Sequence, residues 1–211
     1  MSAVTEETPD TIAHGPDPHA HDGHPPTNTG VSNAKIAMWG FLGSECLLFG
    51  ALISTYLLYR GRSVVGPFPK DVYDIPFTSV SSFVLLMSSL TMVLALSSIQ
   101  RRDERRLRVW LLATALLGAT FIAGQIYEFT SFVHKGLTIH TNLFGSSFFV
   151  MTGFHGVHVT LGIVMLITLW GMSMRGQLPP ENAEVVEIVG LYWHFVDIVW
   201  IVIFTIVYLI K

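Results

Sequence analysis

The chain has 211 residues, of which 51% are hydrophobic and 13% are charged. This balance is too apolar for a soluble domain of the same size, so it predicts a protein embedded in a membrane. The net charge of -3, from 12 Lys and Arg against 15 Asp and Glu, provides no basic surface. Nucleic acid is therefore excluded as a partner.

The N-terminal segment, residues 1–34, is rich in His, Pro, Gly and Asp and poor in apolar side chains. Such a composition cannot bury enough surface to fold alone, so we predict a disordered tail. The tail lacks a basic region followed by an apolar core, which argues against a cleavable signal peptide. Its histidines are irregularly spaced, which favours a solvated tail over a metal site. They are His14, His19, His21 and His24.

Five apolar stretches follow, and each is long enough for a helix that spans the hydrocarbon core, which needs about 20 residues. They lie at about 36–59, 76–99, 109–133, 147–171 and 188–210, within one transmembrane domain predicted over 35–211. The predicted fold class is therefore an all-α integral membrane protein, a bundle of five transmembrane helices.

The link between the second and third stretches sets the predicted orientation. It reads QRRDERRLR over 100–108 and contains five arginines. The positive-inside rule places this link in the cytoplasm. With five spans, the N-terminus is then cytoplasmic and the C-terminus lies outside.

Ionisable side chains on three of the predicted helices lie at a similar depth. At a rise of about 1.5 Å per residue, Glu45 is roughly 14 Å from the cytoplasmic start of its helix, and His155 and His158 are roughly 14 and 18 Å below the outer surface. Asp197 is about 14 Å from the inner surface and shares a helix face with His194. A charged side chain at the bilayer centre costs about 2.5–3.5 kcal/mol, so these groups need partners. We predict a buried polar layer of Glu45, His155, His158, His194 and Asp197.

This layer could bind metal or haem, carry protons, or clamp the helices together. Zinc or iron requires three or four ligands in a defined geometry, and no spacing here specifies such a set, so no metal site is predicted. Haem could be held between His194 and either His155 or His158, but no attachment motif accompanies them. A structural or proton-coupled role is favoured for the set.

A second group of side chains is proposed for contacts with lipid or a protein interface. Glu128 lies roughly 28 Å from the cytoplasmic start of the third helix. An interfacial role beside Tyr127 is at least as well supported there as a buried one. The full group is Trp39, Tyr127, Glu128 and Trp193.

Three ordered motifs on separate helices carry a resemblance to a known family. They are GFLGSECLLFGAL over 40–52, FFVMTGFHGVHVTLG over 148–162 and YWHFVDIVWIVIFTIVYLI over 192–210. The chain resembles subunit III of the haem-copper terminal oxidases over residues 36–211. It is similar to the short bacterial form, which lacks the first two of the seven helices found in mitochondrial-type members.

The resemblance implies a non-redox subunit that supports assembly, proton uptake and turnover stability of an oxidase in aerobic respiration, most simply a cytochrome c oxidase of the bacterial plasma membrane. Haem and copper are then expected in partner subunits, with no cofactor in this chain and bound phospholipid allowed. The expected partners are subunit I as the main contact, subunit II, a small subunit IV as a further candidate, and membrane lipids. The resemblance also matches Glu45 to the family's carbodiimide-reactive glutamate.

Three alternatives remain open from the sequence. A quinol oxidase contains the same kind of subunit, so the electron donor is not specified. The polar layer is also compatible with a stand-alone proton-coupled transporter or with a haem-carrying electron-transfer protein.

Overall fold

The computed structural model describes residues 31–60, 75–140 and 143–209. Within these ranges the chain forms five long helices: α1 (Asn33–Tyr59), α2 (Ile75–Gln100), α3 (Glu104–His134), α4 (Leu143–Met174) and α5 (Ala183–Phe204). A short 3-10 turn, Pro180–Asn182, precedes α5, and a π-helical turn, Thr205–Leu209, extends it. All five helices are long and apolar enough to cross a membrane, which confirms the predicted fold class. The predicted tail lies outside the described residues as far as residue 30.

The helices extend beyond the apolar stretches that predicted them. Both α3, at Glu104, and α5, at Ala183, begin five residues before the predicted start. Charged first turns explain the difference, since hydropathy detects only the part of a helix that lies in lipid. At the start of α3, the side chain of Asp103 accepts a hydrogen bond of 3.0 Å from the backbone N–H of Arg106. A capped and charged turn of this kind is stable in water at the membrane surface.

Helix packing follows a simple neighbour pattern. Helices α2 and α3 form a hairpin, α4 packs on α3, and α5 packs on α2 and α4. Helix α1 packs on α4 and α5 and buries only three side chains, Leu42, Phe49 and Tyr56. These recur every seven residues and therefore form one narrow seam along the helix. Most of the α1 surface faces away from the bundle, including Leu47, which is 78% exposed.

Trp193 occupies the centre of the bundle. Its side chain is fully buried between glycines of two other helices, Gly118 on α3 and Gly162 on α4. A Cβ added at Gly118 would lie 2.5 Å from the Trp193 ring, and one added at Gly162 would lie 2.7 Å from it. The two glycines thus form a slot that only a bare backbone leaves open. The proposed lipid or interface contact of Trp193 is corrected accordingly, because the ring fills the slot inside the bundle.

Candidate functional site

Glu45 and His158 form a buried pair between α1 and α4. The Nε2 atom of His158 lies 3.1 Å from Oε2 of Glu45, and both side chains are largely buried, at 11% and 14% exposed. The other ring nitrogen of His158, Nδ1, lies 2.8 Å from the carbonyl oxygen of Phe154. Phe49 stacks edge-on against the His158 ring at a centroid distance of 5.1 Å. Apolar neighbours therefore surround a two-residue polar contact in the middle of the membrane domain.

The geometry of this pair fixes how many protons it holds. A carbonyl oxygen only accepts, so Nδ1 of His158 must carry a hydrogen and donate to Phe154. The contact between Nε2 and the Glu45 carboxyl group then needs one further proton, because two lone pairs would otherwise face each other at 3.1 Å. That proton resides either on the carboxyl group or on the imidazole. In both arrangements the pair has no net charge, which suits a site with low dielectric.

Ser89, His194 and Asp197 form a second polar cluster between α2 and α5. The hydroxyl of Ser89 donates to Oδ2 of Asp197 and lies 3.0 Å from Nδ1 of His194. Because the single hydroxyl proton is used by the carboxylate, His194 donates through Nδ1 to the serine oxygen. One serine therefore connects the two ionisable side chains and fixes the tautomer of His194.

His155 lies apart from both polar clusters, in an aromatic environment. It is fully buried, stacks on Trp200 at 4.9 Å between ring centroids, and meets Phe121 edge-on at 5.9 Å. Its Nε2 atom lies 3.2 Å from the carbonyl oxygen of Val196, to which it donates. Its Nδ1 atom has no hydrogen-bond partner among the described residues, and the same holds for Oδ1 of Asp197. Each unsatisfied acceptor of this kind costs about 1–3 kcal/mol.

The predicted layer of five residues is thus divided by the structure. Glu45 pairs with His158, and His194 joins Asp197 through Ser89. His155 occupies an aromatic pocket, where its Nε2 atom donates to the Val196 carbonyl oxygen and its Nδ1 atom has no hydrogen-bond partner in the described part of the chain. The arrangement fixes α1 to α4 and α2 to α5 through separate polar contacts.

Glu128, which the sequence analysis assigned to a lipid or protein interface, belongs to a third polar cluster. It is 7% exposed and accepts hydrogen bonds from Thr78 at 2.7 Å and from Tyr208 at 3.0 Å. These contacts join α2, α3 and the turn after α5, so the proposed lipid or interface role of Glu128 is corrected to an interhelical one. Tyr127 and Trp39, in contrast, are 67% and 61% exposed on the outside of the bundle, where lipid contact is expected.

Serines of α2 hold two tryptophans of α5, a feature the sequence reasoning did not assign. The indole N–H of Trp193 donates to Ser88 at 2.9 Å, and that of Trp200 donates to Ser82 at 2.8 Å. The signal for it was present, since the two tryptophans are seven residues apart and the two serines are six apart, close to two helical turns. Small hydroxyl residues that pair with large aromatic ones permit close helix packing in lipid.

The histidines of these clusters bear on the prediction that the chain holds no metal ion, which stays a prediction. Among the described residues, no group of three or more His, Cys, Asp or Glu side chains is close enough to form a ligand set. Four ring nitrogens already contact protein oxygen atoms: Nε2 of His155, both Nδ1 and Nε2 of His158, and Nδ1 of His194. Iron and zinc sites need more converging donors than this arrangement supplies.

Comparison with known proteins decides the family. A model of the family described as cytochrome c oxidase subunit III matches residues 24–211. The chain belongs to this family. The probable quinol oxidase subunit 3 of Staphylococcus saprophyticus is 42% identical over 178 residues, which cover 83% of this chain and 88% of that protein.

Two further relatives bear names that differ in the electron donor. The cytochrome c oxidase subunit 3 of Bacillus sp. strain PS3 is 38% identical over 177 residues, covering 84% of this chain and 86% of that protein. The quinol oxidase subunit 3 of Bacillus subtilis is 37% identical over 174 residues, covering 82% and 85%. The chain is therefore a subunit III of a haem-copper oxidase and a multi-pass protein of the bacterial plasma membrane. This assignment favours the oxidase over the transporter and the haem-carrying cytochrome.

Proposed function

We propose that the chain is the non-redox subunit III of a proton-pumping cytochrome c oxidase, in which it stabilises the catalytic subunit during turnover. The observation that carries the proposal is the family match over residues 24–211, which include the whole membrane domain. The polar clusters support a structural role, because each of them joins two or three helices and none of them forms a ligand set within the described residues.

Haem and copper are proposed to reside in the partner subunits and not in this chain. The histidines of the membrane domain support this division of roles, since one ring nitrogen of His155, one of His194 and both of His158 contact protein oxygen atoms. Those contacts would have to be broken before a histidine could turn toward a cofactor outside the bundle. The chemistry of oxygen reduction thus belongs to subunit I, and this chain contributes packing and bound lipid.

The partner set proposed here is subunit I as the main contact, with subunit II and a small subunit IV. The exposed face of helix α1 is consistent with a large interface to a partner subunit. The helix buries only three side chains within the bundle and exposes others, among them Trp39, Phe41 and Leu47. An apolar helix face of this kind can pack equally against lipid or a neighbouring membrane subunit. The proposed orientation, with the arginine-rich α2–α3 turn in the cytoplasm, follows from the positive-inside rule.

Proton uptake is the step in which we propose that the Glu45–His158 pair takes part. The pair holds one proton between two basic atoms 3.1 Å apart, inside the membrane domain. Moving that proton changes no net charge within the pair, whereas removing it would leave a buried charge, which is costly. The pair therefore supports proton uptake indirectly, as a fixed contact without net charge between α1 and α4, and does not release its own proton.

A quinol oxidase is the second candidate, because two of the relatives named above are quinol oxidase subunits, one of them at 42% identity. Subunit III is common to both enzyme types, so its own sequence does not select the donor.

Purification of the intact complex tests both candidates. The full chain is tagged at its N-terminus, solubilised in mild detergent and isolated with its associated subunits, and oxygen consumption is measured with reduced cytochrome c and with a quinol. We expect haem-containing subunits to co-purify and oxygen to be consumed with cytochrome c. Consumption with quinol alone would replace the first candidate by the second. Purification without any haem-containing partner would contradict the oxidase role itself.

A further inference from the structure

The arginine-rich end of the α2–α3 hairpin, which the proposed orientation places in the cytoplasm, contains a pocket that the oxidase role does not use. Its volume is about 520 Å³, and it lies between the last turns of α2 and the first turns of α3. Its lining includes three arginines, Arg101, Arg105 and Arg106, which we call the rim, and three apolar side chains, Leu94, Val109 and Trp110, which we call the wall. We propose that this pocket binds the phosphate of an anionic phospholipid. The proposal deepens the lipid binding of the proposed function and rests on that part of it alone.

The backbone around the pocket is held in one conformation by its own hydrogen bonds. The N–H of Arg102 donates to the carbonyl oxygen of Ile99 at 3.0 Å, and that of Asp103 donates to Ser98 at 2.9 Å. Arg102 has a positive φ of 60°, which turns the chain sharply from α2 into α3. Asp103 then caps α3 through the N–H of Arg106. The arginines thus project from a short, well-defined turn, which lowers the entropy lost on binding an anion.

The arginines of the pocket are only partly neutralised by the protein. The carboxylate of Asp103 lies 3.1 Å from Nε of Arg106 and also caps α3, so its charge is already shared. Arg101 and Arg105 form no ion pair with any described residue. Three arginines against one aspartate leave the pocket with a formal charge of +2. A site with this excess of guanidinium groups favours a phosphate, which guanidinium binds through paired hydrogen bonds.

The apolar wall identifies the rest of the ligand as a lipid. Val109 is 59% exposed, and Trp110 lies beside it with its ring partly buried against the core. Both residues stand on a membrane-spanning helix one turn beyond the arginines, at the depth where a lipid's glycerol and first methylene groups would lie. Basic pockets between transmembrane helices on the cytoplasmic side are typical sites for anionic headgroups. A free phosphate could pair with the arginines of the rim, but it would leave the apolar side chains of the wall without a contact.

Lipid titration of the full chain tests the proposal. The chain is purified with the subunits that accompany it, depleted of lipid in mild detergent, and titrated with phosphatidylglycerol while bound lipid is counted by native mass spectrometry. Arg105→Gln removes one charge from the rim. Arg102→Gln is the matched control, because it removes the same charge from the same turn but does not line the pocket. Arg101→Gln gives a second rim variant, in case one substitution disturbs the turn.

We expect each rim variant to bind phosphatidylglycerol about five-fold more weakly than the unmodified chain, the effect typical of one basic residue at a membrane surface. The control should bind as the unmodified chain does, and phosphatidylcholine should bind more weakly than phosphatidylglycerol. Equal losses in rim and control variants would overturn the proposal, since the charge of the whole turn would then suffice. Equal binding of the two lipids would overturn it too.

Competition with inorganic phosphate separates the two sources of the ligand. Failure of phosphate at millimolar concentration to displace phosphatidylglycerol supports a lipid site, whereas full displacement would overturn it in favour of a small soluble anion. The measurement needs no oxidase activity. Failure of the chain to bind phosphatidylglycerol would therefore leave the oxidase assignment unaffected. Conversely, lipid binding can still be measured if the chain purifies without haem-containing subunits.

Discussion

The slot around Trp193 allows a sharp prediction about how tightly the bundle is packed. Gly118→Ala adds a methyl group whose carbon would lie 2.5 Å from the end of the Trp193 ring. Ordinary van der Waals contact begins at 3.4 Å, so the ring must move by about 0.9 Å. It cannot do so freely, because Gly162 closes the opposite helix onto the ring and the indole N–H is bonded to Ser88 at 2.9 Å.

We therefore expect Gly118→Ala to lower the free energy of unfolding by about 1–3 kcal/mol, the usual cost of forcing extra volume into a packed core. Gly153→Ala on α4 is the matched control, because a Cβ there meets nothing within 4 Å. A glycine-to-alanine change in open space should be neutral or should stabilise the helix by up to about 1 kcal/mol. Both variants of the full chain are unfolded by SDS in mixed micelles and followed by circular dichroism.

A double-mutant cycle identifies the ring as the cause. Trp193→Phe shortens the side chain that the new methyl group would strike. The loss caused by Gly118→Ala should therefore be smaller in the Trp193→Phe background by about 1 kcal/mol or more, since residues in direct contact are energetically coupled. Equal losses in both backgrounds, or a loss in Gly153→Ala as large as in Gly118→Ala, would refute the reasoning.

Three other outcomes are expected. Glu45→Ala should leave the haem content of the assembled oxidase unchanged but shorten its active lifetime, because His158 loses its partner. The effect of Glu45→Gln on the lifetime should be milder. Turnover, proton uptake and an inactivation rate equal to wild type in Glu45→Ala would contradict this expectation. Ser89→Ala should destabilise the full chain by about 1–3 kcal/mol, because buried Asp197 loses its hydrogen-bond donor. The change is measured by unfolding in SDS, and an unchanged free energy of unfolding would show that another donor replaces the serine. The chain separated from its partners should show no Soret band and no stoichiometric metal by elemental analysis, and one tightly bound haem or ion per chain would reverse that expectation.

The sequence predicted the helices and the depth of the polar residues, because both follow from hydropathy and from a fixed rise per residue. Depth alone does not give the direction in which a side chain points. His155 and His158 are three residues apart, yet one contacts α5 and the other contacts α1. The expected layer therefore divides into the Glu45–His158 pair, the His194–Asp197 pair and a separate His155. The packing of the helices, and not depth, determines which helix each histidine of α4 contacts.

The same distinction between depth and direction explains the two corrected residues. Glu128 lies toward the end of α3, as the helical rise indicated, but it points inward to Thr78 and Tyr208. Trp193 lies about 8 Å beyond the predicted start of its apolar stretch at 188, so its depth alone does not distinguish the boundary region, where tryptophan is common, from the core. Nothing local in the sequence identifies Gly118 as its neighbour.

The attachment of α1 has a consequence for how the protein is made. Its polar contacts link Lys35 to Glu187 at 2.8 Å, Glu45 to His158 at 3.1 Å and Arg60 to the carbonyl oxygen of Ile206 at 3.2 Å. Each of these partners is translated more than a hundred residues later. Helix α1 therefore gains these contacts only after α4 and α5 have been synthesised, and Glu45 has no His158 to pair with until α4 is in place. A chain that ended before α4 would contain an unpaired carboxyl group within a membrane-spanning helix, which is costly.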